Sequence, residues 1–263
     1  MSHTPAQRLT QSIRQARTTR PALVSFLTAG FPSRERFRGD LTTVAAHSDV
    51  VEIGVPFTDP MADGVTIQRS SMGALAQGVT LQWILAELAA MPPLNTPLVL
   101  MSYMNPLLAY GLDRLAADAA RVGVCGFIVP DMPLEEAGAF EVALRANGVA
   151  LVRMVTPVTP AERLKHLCDG AQGFIYAVTM TGTTGKNVNA AEDAMAAVGS
   201  YLDAVRKQSS IPVCAGFGIR GPAQVQALDA HCDGVIVGSA LVETLERGES
   251  AAALLDGLRG GTA

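Results

Sequence analysis

Short apolar runs rich in β-branched residues recur eight times along the chain, and stretches with helical periodicity separate them. The runs are Ala22–Thr28, Val50–Ile53, Leu98–Ser102, Gly126–Val129, Ala150–Val155, Phe174–Val178, Pro212–Ala215 and Gly234–Val237. Each is almost continuously apolar, as a parallel strand covered on both faces must be. Between them, Thr80–Met91 sets Leu81, Ile84, Leu85 and Leu88 on one stripe, and Asp113–Val122 does the same with Leu115 and Ala119. Further helical patterns span Leu134–Ala146, Pro160–Cys168, Ala191–Val205, Pro222–Leu228 and Ala240–Leu258. Ser33, Thr159-Pro160 followed by Glu162, and Gly221-Pro222 supply N-terminal signals. An eightfold strand–helix alternation predicts an α/β chain folded as a (β/α)8 TIM barrel, one domain over residues 1–263, with an extra N-terminal helix. A doubly wound open sheet is the competing arrangement. A weak repeat favours closure: Gly126-Phe127-Ile128, Gly173-Phe174-Ile175 and Gly234-Val235-Ile236 open alternate strands, as a barrel-interior layer would require.

Composition narrows the function. Apolar residues make up 49% of the 263 and charged ones 17%, which excludes a disordered, collagen-like or coiled-coil chain. A net charge of −4 lacks the basic footprint of a nucleic-acid binder. No apolar run reaches the roughly 18 residues of a membrane span, and the N-terminus lacks the apolar core of a secretory signal. The four cysteines, Cys125, Cys168, Cys214 and Cys232, form no CxxC pair and read as reduced, buried hydrophobes of a cytoplasmic protein. His231 and Cys232 are adjacent, a poor geometry for two ligands on one ion, so no metal site is expected.

In a barrel of this kind the chemistry sits at the C-terminal strand ends. The second run carries Glu52 within Val50–Gly54, and a carboxylate in an apolar strand must be paired, protonated or functional. Period two puts Val50 and Glu52 on one face, so Glu52 can project into the barrel mouth. The structural alternative is an ion pair with a barrel arginine such as Arg153. The following loop, Val55–Gly64, has two prolines and a glycine and cannot be a plain helix. Its Asp63 is either turn chemistry with Gly64 or a second carboxylate over the same pocket. Late in the chain, glycines follow three consecutive runs: Gly182 and Gly185, then Gly216 and Gly218, then Gly238 before Ser239 and a helical stretch. Exposed backbone N–H groups there make an anion site, and barrel phosphate sites frequently follow strands seven and eight. Tight turns alone are the alternative. These residues describe a phosphate-ester enzyme with two carboxylates and do not name its substrate.

The segment Val51–Gln68 (VEIGVPFTDPMADGVTIQ) closely resembles the signature of the tryptophan synthase α-subunit family. Phe26–Gly30, Met101–Pro106, Val129–Pro133, Gly182–Gly185, Gly216–Ile219 and Gly238–Ala240 match in order, over residues 8 to 247. The resemblance implies a carbon–carbon lyase of tryptophan biosynthesis that cleaves indole-3-glycerol phosphate to indole and glyceraldehyde 3-phosphate. It also implies an α2β2 heterotetramer, with pyridoxal phosphate in the β subunit and no cofactor in this chain. By the same match Glu52 and Asp63 are catalytic, and Phe26, Tyr103 and Tyr176 lie beside the indole. Thr184, Gly185, Phe217, Gly218, Gly238 and Ser239 hold substrate, chiefly its phosphate. Pro56, Asp59, Asn105 and Pro133 belong to the face that meets the β subunit. Thr183, Lys186-Asn187 and His231 depart from the family pattern without touching the two carboxylates. A free-standing indole-3-glycerol-phosphate lyase is the alternative, since the same active-site residues would serve it.

Overall fold

In the computed structural model, residues 3–179, 188–216 and 218–260 are described. Nine parallel strands form one sheet in the order β5-β4-β3-β2-β1-β9-β8-β7-β6. They are β1 (Ala22–Thr28), β2 (Val50–Gly54), β3 (Leu98–Met101), β4 (Val124–Ile128), β5 (Ala150–Leu151), β6 (Arg153–Val155), β7 (Ile175–Val178), β8 (Val213–Gly216) and β9 (Gly234–Val237). The two ends of that order, β5 and β6, are separated in the chain by Val152 alone. They are two halves of the single run Ala150–Val155, one half bonded to β4 and the other to β7. The sheet therefore closes on itself as a (β/α)8 barrel, and the open-sheet alternative falls away.

Strand alternation sorts the side chains into two layers. Leu23, Leu27, Val51, Ile53 and Leu100 face outward into the layer shared with the helices. Val24, Val50, Val99, Val152 and Ile236 face inward. Phe26 pairs in register with Glu52, and Glu52 with Val99, so Glu52 belongs to the inner set near the strand ends.

Helix α1 (Pro5–Ala16) forms the floor of the barrel. Thr4 and Gln7 close a capping box at its start, and Pro5 occupies the first turn. Leu9 and Ile13, both fully buried, join the inner cluster. This corrects the reading of the glycine repeat. A Cβ on Gly126 would meet Leu9 at 3.3 Å, and one on Gly173 would meet it at 2.8 Å. Those glycines make room for the floor helix, whereas Gly234 lies against Cys214 and Ala22.

Helices α2 (Phe37–Ala46), α3 (Val65–Ala76) and α5 (Met104–Tyr110) were not legible as periodic stretches. Helices α4 (Leu81–Ala89), α6 (Leu112–Arg121), α8 (Ala161–Cys168), α9 (Val188–Gln208) and α10 (Pro222–Leu228) lie where the pattern placed them. The pattern over Ala240–Leu258 resolves into α11 (Ser239–Glu246) and α12 (Ala251–Leu258). Gly248 at φ +69° turns the chain between them, and the Ser250 side chain caps α12. Leu134–Ala146 likewise divides into a 3-10 turn at Leu134–Glu136 and α7 (Gly138–Ala146).

Two strand-terminal glycines are set by aromatic rings inside the barrel. A Cβ on Gly54 would lie 2.5 Å from Phe26, and one on Gly216 would lie 2.6 Å from Tyr176. Gly54→Ala is expected to displace Phe26 and to destabilise the fold by about 1–3 kcal/mol, the usual cost of overpacking. Denaturant unfolding checks this, and an unchanged midpoint would show that the ring has room to move.

Candidate active site

A cavity of about 530 Å³ opens at the C-terminal end of the strands. Phe26, Glu52 and Tyr176 line its inner wall, with Met101, Met154 and Ile236 from other strands. Asp63 and Gly64, from the loop after β2, lie over it, and Gly218, Gly238 and Ser239 form its far rim. The two carboxylates and the late glycines, far apart in sequence, thus border one space.

Glu52 is 1% exposed, and its Oε2 has no hydrogen-bond partner among the described residues. Burial, reinforced by the nearby charge of Asp63, raises its pKa from 4.5 to about 8. The ion-pair alternative is not met: Arg153 lies on the outer face and donates instead to Glu141 at 2.7 Å.

Asp63 is raised less, to about 6, because burial is opposed by a hydrogen bond from Tyr103. The Tyr103 hydroxyl donates to Asp63 Oδ2 at 3.1 Å and accepts from the Ala62 N–H at 2.9 Å. The Tyr103 ring stacks on Phe57 with centroids 5.1 Å apart. Tyr103 is therefore behind Asp63 and does not line the cavity, a placement that sequence reasoning did not give. Tyr103→Phe keeps the stacking but removes the bond that holds Asp63 down, so the Asp63 pKa should rise further above 6. The acid limb of the pH–activity profile should move to higher pH. A profile superimposable on the parent's would show that the hydroxyl does not govern Asp63.

At the rim, Gly238 is the N-cap of α11 and carries no side-chain cap. The first turn of α11 has no acidic residue, so its leading N–H groups are open to an anion. Gly218 at φ +82° is in the left-handed region that favours glycine. Arg220, not singled out from the sequence, borders the same end of the cavity. It is held by Glu243 at 3.0 and 3.1 Å, and Glu243 also accepts from Thr66 at 2.9 Å. This chain of contacts ties α3, the loop after β8 and α11 together around the rim.

Thr184, Gly185 and Phe217 lie outside the described residues. Of the residues read as partner-facing, Asp59, Asn105 and Pro133 are exposed, and Pro56 is buried beneath its loop. Large apolar side chains are exposed on the loops and first helices of the same barrel end: Met61 at 91%, Val65 at 77%, Leu108 at 55% and Val158 at 82%. Among the described residues there is no cluster of potential metal ligands and no helix long and apolar enough to cross a membrane.

The family described as "Tryptophan synthase alpha chain" matches residues 13–257. The chain is 45% identical over 248 residues to a tryptophan synthase alpha chain from Desulfovibrio desulfuricans, covering 92% of this chain and 96% of that one. It is 44% identical over 253 residues to one from Nitratidesulfovibrio vulgaris, covering 95% and 97%. Among solved structures it is similar to M. tuberculosis tryptophan synthase in an aminoacrylate- and BRD0059-bound form. There the TM-score is 0.86 at 32% identity, covering 99% of this chain and 98% of that one. It is also similar to a tryptophan synthase subunit alpha from Legionella pneumophila, with a TM-score of 0.85 at 29% identity, covering 96% and 97%.

Proposed function

The chain belongs to the tryptophan synthase alpha chain family, and from that membership and the shape of the cavity we infer that Glu52 and Asp63 divide the labour of the reaction. The reaction is the cleavage of indole-3-glycerol phosphate to indole and glyceraldehyde 3-phosphate in tryptophan biosynthesis, carried out with a β subunit as partner. The observation that carries the division is the separation of two carboxyl groups in one cavity, one raised to about 8 and the other to about 6. Near neutral pH the pair then holds one proton, on Glu52, and one charge, on Asp63.

That protonation state fits the chemistry. Direct rupture of the bond from indole C3 to the glycerol chain would expel a poor carbanion. Glu52 first gives its proton to C3, forming an indoleninium cation. The Asp63 carboxylate accepts a hydrogen bond from the indole N–H and stabilises the positive charge as it develops. The Glu52 carboxylate then takes the proton from the hydroxyl on the carbon attached to C3. The C–C bond breaks, its electron pair neutralises the ring, and an aldehyde forms. Glu52 ends protonated, so the cycle closes without an external proton. Phe26 and Tyr176 flank the indole, and Gly218, Gly238 and Ser239 hold the phosphate on backbone N–H groups. Thr184, Gly185 and Phe217 are assigned to substrate on the family match alone.

The family's pyridoxal phosphate lies in the β subunit. We assign no cofactor to this chain, an α2β2 stoichiometry to the assembly and the cytoplasm as its location. Exposed Met61, Val65, Leu108 and Val158, with Asp59, Asn105 and Pro133, form the surface a β subunit would cover. This surface favours the heteromeric enzyme over the free-standing lyase. Indole release from indole-3-glycerol phosphate, measured with increasing β subunit, tests both. Turnover is expected to rise with the partner, because covering the loops after β2 and β3 shifts them toward the catalytic geometry. Strong turnover that no concentration of β subunit changes would favour the free-standing lyase.

A further inference from the structure

The loop that carries Asp63 is fastened to helix α3. The Phe57 N–H donates to Ser71 Oγ at 2.9 Å, and Gln68 Nε2 donates to the Asp63 carbonyl at 2.9 Å. Gly64, the next residue, is the N-cap of α3. A shift of α3 therefore carries Asp63 with it.

Helix α3 is in turn laced to α11. Thr66, in the first turn of α3, donates to Glu243 Oε1 at 2.9 Å. One turn further along both helices, Arg69 pairs with Glu246 at 2.6 Å. The two contacts differ in reach. The Arg69 side chain is half exposed, where solvent weakens an ion pair, and Glu246 joins α3 to α11 only. The Glu243 side chain is 22% exposed and also accepts from both Nη groups of Arg220, at 3.0 and 3.1 Å. The bonds from Arg220 and then from Thr66 hold the Glu243 carboxyl below the usual carboxylate range, so it is ionised at neutral pH. Arg220 belongs to the loop after β8, and Gln224 clips that loop. It accepts from the Arg220 N–H at 2.7 Å and donates to the Gly218 carbonyl at 2.9 Å. One carboxylate thus joins the helix that carries Asp63 to the loop that carries Gly218, from a position one turn into the helix that begins at Ser239.

We propose that Glu243 is a positioning residue for Asp63, passing to α3 the restraint that a bound phosphate places on the Gly218 and Ser239 rim, a role that presupposes the catalytic Asp63 and the phosphate rim proposed above. A ligand that orders α11 and the loop after β8 fixes the two elements that hold Glu243. The first turn of α3, bonded to the same carboxylate, is then ordered with them.

Hydrogen exchange in residues 57–63 of the full chain reads this link, with glycerol 3-phosphate as the probe. Saturating probe should slow exchange there by about fivefold or more, the lower end of ordinary coupling between two sites. Glu243→Ala, compared at equal occupancy set by calorimetric titration, should lose the slowing. Thr66→Val keeps the shape of the side chain and cuts only the bond to α3. It should lose the slowing too, and it decides the matter if Glu243→Ala does not fold. Arg69→Gln should keep it. Turnover reads the consequence. Glu243→Ala should lower kcat by about tenfold, less than the roughly 10²-fold that a misplacement of about 1 Å can cost. Glu243→Gln, which retains a carbonyl acceptor, should recover part of that loss. In an Asp63→Asn background Glu243→Ala should cost about twofold or less, because residues acting through one group are not additive. Probe that binds the parent without slowing exchange, slowing that survives Thr66→Val, slowing lost equally in Arg69→Gln, or an equal loss of turnover in both backgrounds would each overturn the proposal and leave the catalytic assignment standing. Failure of the probe to bind the parent would refute the phosphate rim, and the proposal with it.

Discussion

Glu52→Gln is expected to lower turnover by about 10²–10⁴-fold, the usual weight of general acid–base catalysis, and to leave the protein at least as stable as its parent. The two halves of this expectation have separate causes. Glutamine keeps the size and polarity of the side chain but has no proton to give to indole C3 and no carboxylate to take one from the hydroxyl. The substitution does not touch Gly218, Gly238 and Ser239, the proposed phosphate site, so ligand affinity should change little. Stability follows from the raised pKa. A carboxyl whose folded-state pKa lies near 8, above an ordinary 4.5, holds a proton in the folded chain that the unfolded chain has released. Its contribution is intact below about 4.5 and is lost as pH rises toward 8. A glutamine at this position does not titrate and carries no such loss, so the variant's melting temperature should match or exceed the parent's, most clearly at alkaline pH. Had Glu52 neutralised Arg153, its removal would have stranded a buried cation at a cost of about 3–5 kcal/mol. Arg153 is paired with Glu141, so that loss should not appear. Melting and indole release measured on one sample decide the matter: a clearly lowered melting temperature with most turnover retained would refute the catalytic role.

The barrel was legible because parallel strands buried on both faces leave short apolar runs, and Ala22–Thr28 and Gly234–Val237 are strands with those bounds. Glu52 was legible for a related reason, since a lone carboxylate in such a run demands an explanation. Its surroundings were not. Whether Arg153 turns to Glu52 or to Glu141 depends on which side of the sheet each occupies and on how α7 packs, and local pattern does not fix the second. Tyr103 could be marked as an aromatic of the site, but its hydroxyl reaches Asp63 only because the loop after β2 folds back over β3. The glycines misled in one respect. Gly126 and Gly173 suggested a barrel layer, whereas the atom that requires them is on Leu9, more than a hundred residues away. Helices α3 and α5 escaped because Ser70, Ser71 and Gly73 in one, and Asn105-Pro106 in the other, blur the apolar stripe. Arg220 escaped because only the folded loop after β8 brings it to the rim beside Glu243.

Asp63→Asn should show a loss of about 10²–10³-fold in turnover, because a neutral amide can still accept from the indole N–H but cannot offset the charge of the indoleninium. The pH profile should change in a way that mere damage to the loop would not produce. With the roles proposed for them, the parent needs Asp63 ionised and Glu52 protonated, so its activity should rise as pH passes about 6 and fall as pH passes about 8. The asparagine variant has no group to ionise at the lower limit, so the acid limb should disappear from its residual activity. The alkaline limb should move as well. Part of what holds Glu52 near 8 is the charge of Asp63, and without that charge Glu52 should lose its proton at lower pH. The high-pH half-point of the variant should therefore lie below the parent's. Indole release followed from pH 5 to pH 9 at substrate well below KM, where the rate reports the groups of the free enzyme, reads both limbs. If the alkaline half-point stays in place while the acid limb vanishes, Glu52 is raised by burial alone and the two carboxyl groups act independently. If both limbs survive, Asp63 is not the group that ionises near 6, and its assigned role in stabilising the cation fails with it.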